Sequence, residues 1–416
     1  MKTKQSNFHI FLIISLFITG ILPSILSFAK PIGEDLENTF ALGGGINAVD
    51  VVLLIMFGIV LLKTFLKRKS NQIKDRYLYN LIVLFTIWIL FEIFRNISNY
   101  GLSAPGEFRF RYLILALPLF IAIYYDNKIK REVLISIIIF FSFFVPLLLI
   151  PFIGFIKGWQ FGAQNRFLNS QIHLGMLYGY TSLILLKKYK QIKFNNFLFA
   201  LISIPYFFFF IVDSHRSVWL AAVVIIVTLY FLKEIRFKKV VYLIPVGIFL
   251  FFILFMLLKG VGIDFWKYVT ERGIAFINPQ EDNTAKWRLL IWQAQLVNFF
   301  STPLLGQGFG GYWSVYVPEL GTIDVSPHNF YVQSLVKIGS IGLLLYLSII
   351  FRIMNKLIKA YKLFKLKKKK ELPLVLLGLV ILIAAHVYYS VYSLEYYSLM
   401  FIGLAVAVIR DKSNFA

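Results

Sequence analysis

The chain has 416 residues, 59% of them apolar and only 15% charged, with a mean hydropathy of +0.76. That balance excludes a soluble domain of this size, and the absence of cysteine excludes disulfides, thiolate metal sites and a cysteine nucleophile. The net charge of +23 has to be located along the chain before it is read as a sign of any partner.

Runs of ~17–25 mostly apolar residues, long enough to cross a bilayer, recur throughout. They are continuous rather than alternating, which points to helices and not to a barrel. The predicted fold is an all-α polytopic membrane protein with about twelve transmembrane helices. In chain order the spans are 8–28, 48–66, 77–95, 112–125, 133–155, 172–186, 197–212, 218–232, 240–259, 328–351, 372–388 and 394–409. The first follows Lys2 and Lys4 and ends near Ser27–Phe28–Ala29, so it resembles a signal peptide. Its apolar run exceeds the ~7–15 residues of a signal sequence, and it is read as an uncleaved anchor.

With the N-terminus inside, alternate connections (1–7, 63–76, 126–132, 187–196, 233–239, 352–371 and 410–416) hold most of the 43 lysines and arginines. This is the positive-inside pattern, kept at every turn. Both termini are expected in the cytoplasm, and the basic charge reads as topology, with no nucleic-acid partner. The run KLKKKK (365–370) is a stop signal, or a contact with anionic headgroups of the lipid bilayer. One connection differs from the rest. Residues 260–327 form a large polar loop on the outer side, and a loop of that length in a compact protein is usually functional. The chain therefore divides into 1–259 (nine spans), 260–327 (the extracytoplasmic loop) and 328–416 (three spans), with no internal repeat.

Basic residues are scarce outside, so each has to be explained. Arg216 opens the eighth span within DSHRSVW (213–219), beside His215. A cation at a helix N-terminus opposes the helix dipole, but it suits a held anion. The other reading is a surface arginine paired with Asp213 or reaching for headgroups. Arg288 sits in NTAKWRLLIWQAQLVNFF (283–300), an amphipathic helix within the loop, capped by Asn283 or Thr284. Its apolar stripe, Trp287, Leu290, Ile291, Gln295 and Phe299, faces the membrane surface or the protein body. Arg288 itself lies on a solvated face or in a site. GQGFGGYW (306–313) lacks P-loop spacing and reads as a tight turn with close backbone packing.

SPHNFYVQ (326–333) follows. Ser326 is expected as N-cap and Pro327 as first helical residue, which puts His328 in the first turn. The positive helix end would then keep the imidazole neutral and able to act as a general base. Asn329 and Gln333 share a face. Lys337, deeper in the helix, should face a cavity or a partner, because ionisable groups avoid lipid. Outside carboxylates are scarce, and Glu34, Asp35, Glu37, Glu281 and Asp282 among them give no DxD pair or metal-like cluster. His386 and Glu395 read as a structural polar pair, and His173 is a weaker candidate. Two arginines and one histidine on the outer face suit group transfer on an anionic lipid headgroup without a metal.

These features together resemble the O-antigen ligase and O-antigen polymerase superfamily. They are twelve spans, one enlarged outer loop, an arginine opening a late span, an arginine-bearing loop helix, and His328–Asn329 followed nine residues later by Gly339. The resemblance implies a metal-independent, inverting glycosyltransferase of the GT-C type with no cofactor. Such enzymes move a glycan from an undecaprenyl-diphosphate donor to lipid A-core or another glycan acceptor at the periplasmic face of the bacterial inner membrane. By the same resemblance Arg216 and Arg288 would bind the diphosphate and His328 would activate the acceptor, with Asn329, Gln333, Lys337 and His215 in support. Other polysaccharide-assembly proteins are possible partners. Many relatives carry an acidic residue where this chain has Lys337. Ligase and polymerase share these motifs. A transporter of lipid-linked glycans is the third reading, and clustering of the polar residues on one face speaks against it.

Overall fold

The structure is a computed structural model. It describes residues 11–15, 18, 51–52, 55–56, 58–59, 76–101, 131–150, 170–212, 215–235, 252, 256, 283–309, 314–317, 321–324 and 328–410. The described chain is mostly helical. The helices are α1 (Arg76–Tyr100), α2 (Arg131–Ile139, continuing through a π-turn at Phe140–Phe144), α3 (Ser170–Lys188), α4 (Asn196–Val212), α5 (Arg216–Phe231), α6 (Asn283–Ser301), α7 (Phe330–Leu366), α8 (Leu372–Tyr389) and α9 (Tyr396–Arg410). Within them Asn80–Ser98, Glu132–Ile150, Phe330–Leu366 and Leu372–Tyr389 are long and apolar enough to cross a membrane. Asn196–Phe210, Arg216–Phe231 and Tyr396–Ile409 are shorter apolar helices. These are the helices of an integral membrane protein.

The expected spans at 77–95, 133–155, 172–186, 197–212, 218–232, 328–351, 372–388 and 394–409 fall on described helices. The span at 112–125 lies outside the described residues, as does most of 8–28, 48–66 and 240–259. Two features depart from the all-α expectation of helices joined by loops. Helix α7 runs on to Leu366, so the basic segment after residue 351 begins as helix and not as loop. The segment expected as the outer loop carries a hairpin, β1 (Ser314–Val317) against β2 (Gly321–Asp324), antiparallel with Ser314 opposite Asp324 and Val317 opposite Gly321. Val315, Tyr316 and Val317 on β1 and Thr322 and Ile323 on β2 are β-branched or aromatic, the residue types that strands favour.

Helix α8 forms the centre. It is buried along nearly its whole length and packs on α5, α7 and α9. Helix α3 lies beside it, buried from Ser170 to Leu186 on most faces, against α2, α5 and α9. The outer layer, α1 and α4, instead exposes large apolar side chains such as Phe94, Ile87, Phe197 and Leu201, as lipid-facing helices do.

Side-chain bonds tie the connections together at two opposite ends. At one end Glu234 receives Lys188, Lys365 Nζ at 2.8 Å, Tyr361 Oη at 2.6 Å and Tyr189 Oη at 2.7 Å. At the other end Tyr388 donates to Ser170 at 3.0 Å, and Gln171 donates to Ser393 at 3.2 Å. The connections expected on the inside (187–196, 233–239 and 352–371) thus meet one another, and those expected outside meet at the far end.

Candidate active site

The end of the bundle expected to face outward, the outer end, is built around a break in α7. Gly339 adopts φ 65°, ψ −177°, so the helix is two segments, an outer one from Phe330 to Ile338 and an inner one from Ser340 onward. That backbone region is essentially open to glycine alone. A break orphans the carbonyls before it and the N–H groups after it. The turn that follows α6 supplies the partners. Gln307 N donates to Val336 O at 2.6 Å and Gly308 N to Lys337 O at 2.9 Å, while Ser340 N donates to Pro303 O at 2.9 Å. Trp88 Nε1 of α1 takes the third carbonyl, Ile338 O, at 3.0 Å. A Cβ on Gly306 would lie 2.5 Å from Gly339 N, so at this position the glycine-rich stretch is the close backbone packing its composition implied. Residues 310–313 of that stretch lie outside the described residues.

The outer segment of α7 presents His328. Asn329, in extended conformation, is the N-cap, and its side-chain oxygen accepts from Tyr331 N and Val332 N at 3.0 and 3.2 Å. This corrects the expected start at Ser326–Pro327, two residues that lie outside the described residues. Asparagine wins because its carbonyl reaches two N–H groups of the first turn. Asn329 is therefore a cap. His328 stands just outside the helix in the left-handed region, φ 46°, an uncommon conformation for a non-glycine residue. Its ring stacks on Tyr392 at 5.8 Å, and Phe330 N donates to Tyr392 O at 3.0 Å, which anchors the turn to the α8–α9 connection. Burial, and then the Arg288 guanidinium, hold the His328 imidazole below its ordinary value near 6.5. The neutral form expected from the sequence is thus favoured, with a different cause: the imidazole is in no helical first turn.

Arg288 is carried by α6, which runs from Asn283 to Ser301 as the amphipathic pattern implied. The expected cap side chains, Asn283 and Thr284, lie outside the described residues. Arg288 is half-buried, and Ile291 and Gln295, on the same face, are fully buried. Packing of α6 on α7 and β1 brings its charge to bear on His328 and on the Tyr388 hydroxyl. The solvated-face reading of Arg288 does not fit this placement.

Arg216 is the first residue of α5, with His215 as N-cap. His215 is buried, and its ring lies 4.9 Å from that of His173 on α3. A line of contacts joins this corner to His328. It runs from His173 to Ser170 one turn away, on to Tyr388, to the Tyr392 ring at 5.3 Å, and to His328. Asp213, the alternative partner of Arg216, lies outside the described residues.

The supporting candidates separate. Gln333 is half-buried one turn into α7, its N–H on Asn329 O. Lys337 is buried, roughly 10 Å further along the axis from the helix start at 1.5 Å per residue. It sits at the C-terminal end of the outer segment, where a cation complements the dipole. His386 and Glu395 do not pair directly. His386 Nε2 meets Tyr346 Oη at 3.1 Å, Glu395 accepts from Ser398 N at 3.1 Å and from Tyr389 Oη at 3.2 Å, and the Tyr389 ring lies between them.

Sequence reasoning missed Trp88, Glu92, Arg95, Tyr388 and Tyr392. A Glu and an Arg three apart inside an apolar helix are themselves a signal, since ionisable residues there need partners.

The architecture is that of an integral membrane protein with a polar, cation-bearing recess at one end of a helical bundle. Residues 198–347 match the family model of O-antigen ligase, the stretch from α4 into α7 that carries Arg216, Arg288 and His328. Over that stretch the chain is similar to the O-antigen ligase and polymerase superfamily. No curated protein matches it.

Proposed function

We propose that the outer end of the bundle is the active site of an O-antigen ligase-type glycosyltransferase. It moves a glycan from undecaprenyl diphosphate to an acceptor sugar at the outer face of the cytoplasmic membrane, with inversion. The observation that carries the reading is that the Arg288 charge bears on a half-buried, left-handed His328 inside the family-matched segment.

In this mechanism the acceptor hydroxyl gives its proton to the neutral His328 imidazole as its oxygen attacks the anomeric carbon from the side opposite the diphosphate. The carbon–oxygen bond to the diphosphate breaks, and undecaprenyl diphosphate leaves with the electron pair. Arg216 and Arg288 hold that growing negative charge, a contribution largest in the transition state. The cation beside His328 keeps it unprotonated before the donor binds. An arriving diphosphate offsets Arg288 and raises the basicity of the imidazole when it is needed. No metal or cofactor is required, and the apolar spans accommodate the polyprenyl tail.

Joining of repeat units on the carrier, the polymerase reaction, uses the same groups. Purified protein is given an undecaprenyl-diphosphate-linked glycan with either lipid A-core or a second carrier-linked unit. The ligase reading expects product on lipid A-core. Lengthening on the carrier alone assigns the polymerase. Movement of the donor across a vesicle bilayer without product removes the enzyme reading.

A further inference from the structure

We propose that Arg95, held by Glu92, is a positioning residue for this site. By gripping the Gly306 carbonyl it fixes the 303–308 turn in the break of α7, and with it the placement of Arg288 relative to His328. The inference rests on the reading that Arg288 and His328 share one site.

Arg95 and Glu92 lie on α1, the helix that also supplies Trp88 to the break in α7. Arg95 Nε donates to Glu92 Oε2 at 3.0 Å, and its Nη2 donates to Gly306 O at 2.7 Å. Glu92 is fully buried and Asn96 nearly so, with Asn96 Nδ2 on Glu92 O at 2.9 Å. The Asn96 amide fills the space where a Cβ on Gly308 would fall. Together with the Trp88 bond to Ile338 O, one face of α1 therefore holds both sides of the junction, the turn and the broken helix.

The turn is a direct continuation of α6. Thr302 N donates to Phe299 O at 3.0 Å and Gly306 N to Thr302 O at 2.8 Å. Moving Gly306 therefore moves the helix that carries Arg288. The outer segment of α7, which ends in His328, is fixed to the same turn by Val336 O and Lys337 O. A buried ion pair is weak support for stability, because desolvation offsets much of the attraction. Its clearest use here is to set geometry, with the guanidinium fork joining a carboxylate to a backbone carbonyl.

The test uses the full chain in nanodiscs with isotope-labelled histidine. It follows the ring signals of His328, assigned with a His328→Ala sample, through a pH titration. Among the described residues, the groups facing His328 are Arg288 from α6 and the Tyr392 ring from the α8–α9 connection. Arg288→Gln is expected to move the titration up towards its ordinary range. Arg95→Ala is expected to do the same while Arg288 is still present. It should also lower kcat about 100-fold, the scale of a 1 Å misplacement, with a smaller change in KM for the donor. Arg95→Lys keeps the charge but not the fork, so its effect should fall between those of wild type and Arg95→Ala, and it serves where the alanine variant does not fold. An unchanged His328 titration in Arg95→Ala, or in Arg95→Lys where the alanine variant does not fold, alongside a shifted one in Arg288→Gln, overturns the positioning role and leaves the site intact. An unchanged titration in Arg288→Gln overturns the shared site itself.

Discussion

The two ends of the bundle treat charge in opposite ways. At one end a single carboxylate, Glu234, gathers two lysines and two tyrosines, one of each from the end of α3 and one of each from the end of α7. Burial alone would raise its pKa. The bonds from Lys188, Lys365, Tyr361 and Tyr189 outweigh that and hold it at about 2. At the other end a guanidinium bears on a half-buried imidazole, like beside potential like, and the backbone is left-handed at His328 and broken at Gly339. Left-handed lysines at the inner end, Lys190, Lys233 and Lys368, only close off helix ends, and the matched charges there make a joint. A concentrated positive potential on an irregular backbone makes a place for an anion, and strain of this kind gathers at functional sites.

Substitutions should separate the ends. Gly339→Ala should have the largest effect, since a Cβ there would lie 2.0 Å from Leu304 O and the backbone sits where alanine is strained. We expect transfer reduced to background in a glycan-transfer assay, with the inner-end contacts preserved. Arg216→Ala and Arg288→Ala should each weaken donor binding by about 1.5–3 kcal/mol, the range for a hydrogen bond to a charged group. Calorimetry or tracer binding to nanodiscs measures this. Arg288→Gln should also move the acid limb of the transfer rate to higher pH. Without the neighbouring cation protonation of His328 is easier, so the neutral base is lost earlier as pH falls. Glu234→Gln should leave transfer within about twofold and lower thermal stability by about 1–3 kcal/mol. Because the native pKa of Glu234 lies below its unfolded value, its contribution is present above pH 4.5 and fades as pH falls towards 2.

The inner end was legible in the sequence as charge. Counting lysines and arginines along the chain groups 187–196, 233–239 and 352–371 on one side, and Lys188, Glu234 and Lys365 do meet. The outer end was legible in its residue types but not in its backbone. A glycine within an apolar helix is common enough that Gly339 carries no sign of a break. What makes the break tolerable is a turn some 30 residues earlier, whose N–H groups no local pattern assigns. The helix start was misread because Ser326–Pro327 and Asn329 both carry capping chemistry, and only tertiary placement decides between them. The clamp from α1 was invisible for the same reason, joining residues about 210 positions apart. The hairpin, by contrast, lies within 260–327, which reads from sequence as one polar loop, although Val315, Tyr316 and Val317 are residue types that strands favour.

The most direct test of the central claim compares wild type with His328→Ala in the same nanodiscs, measuring donor binding and single-turnover transfer from an undecaprenyl-diphosphate-linked glycan. The account predicts unchanged donor binding and transfer lowered by about 10²–10⁴-fold, the usual contribution of a general base. Transfer at the wild-type rate in His328→Ala would contradict it.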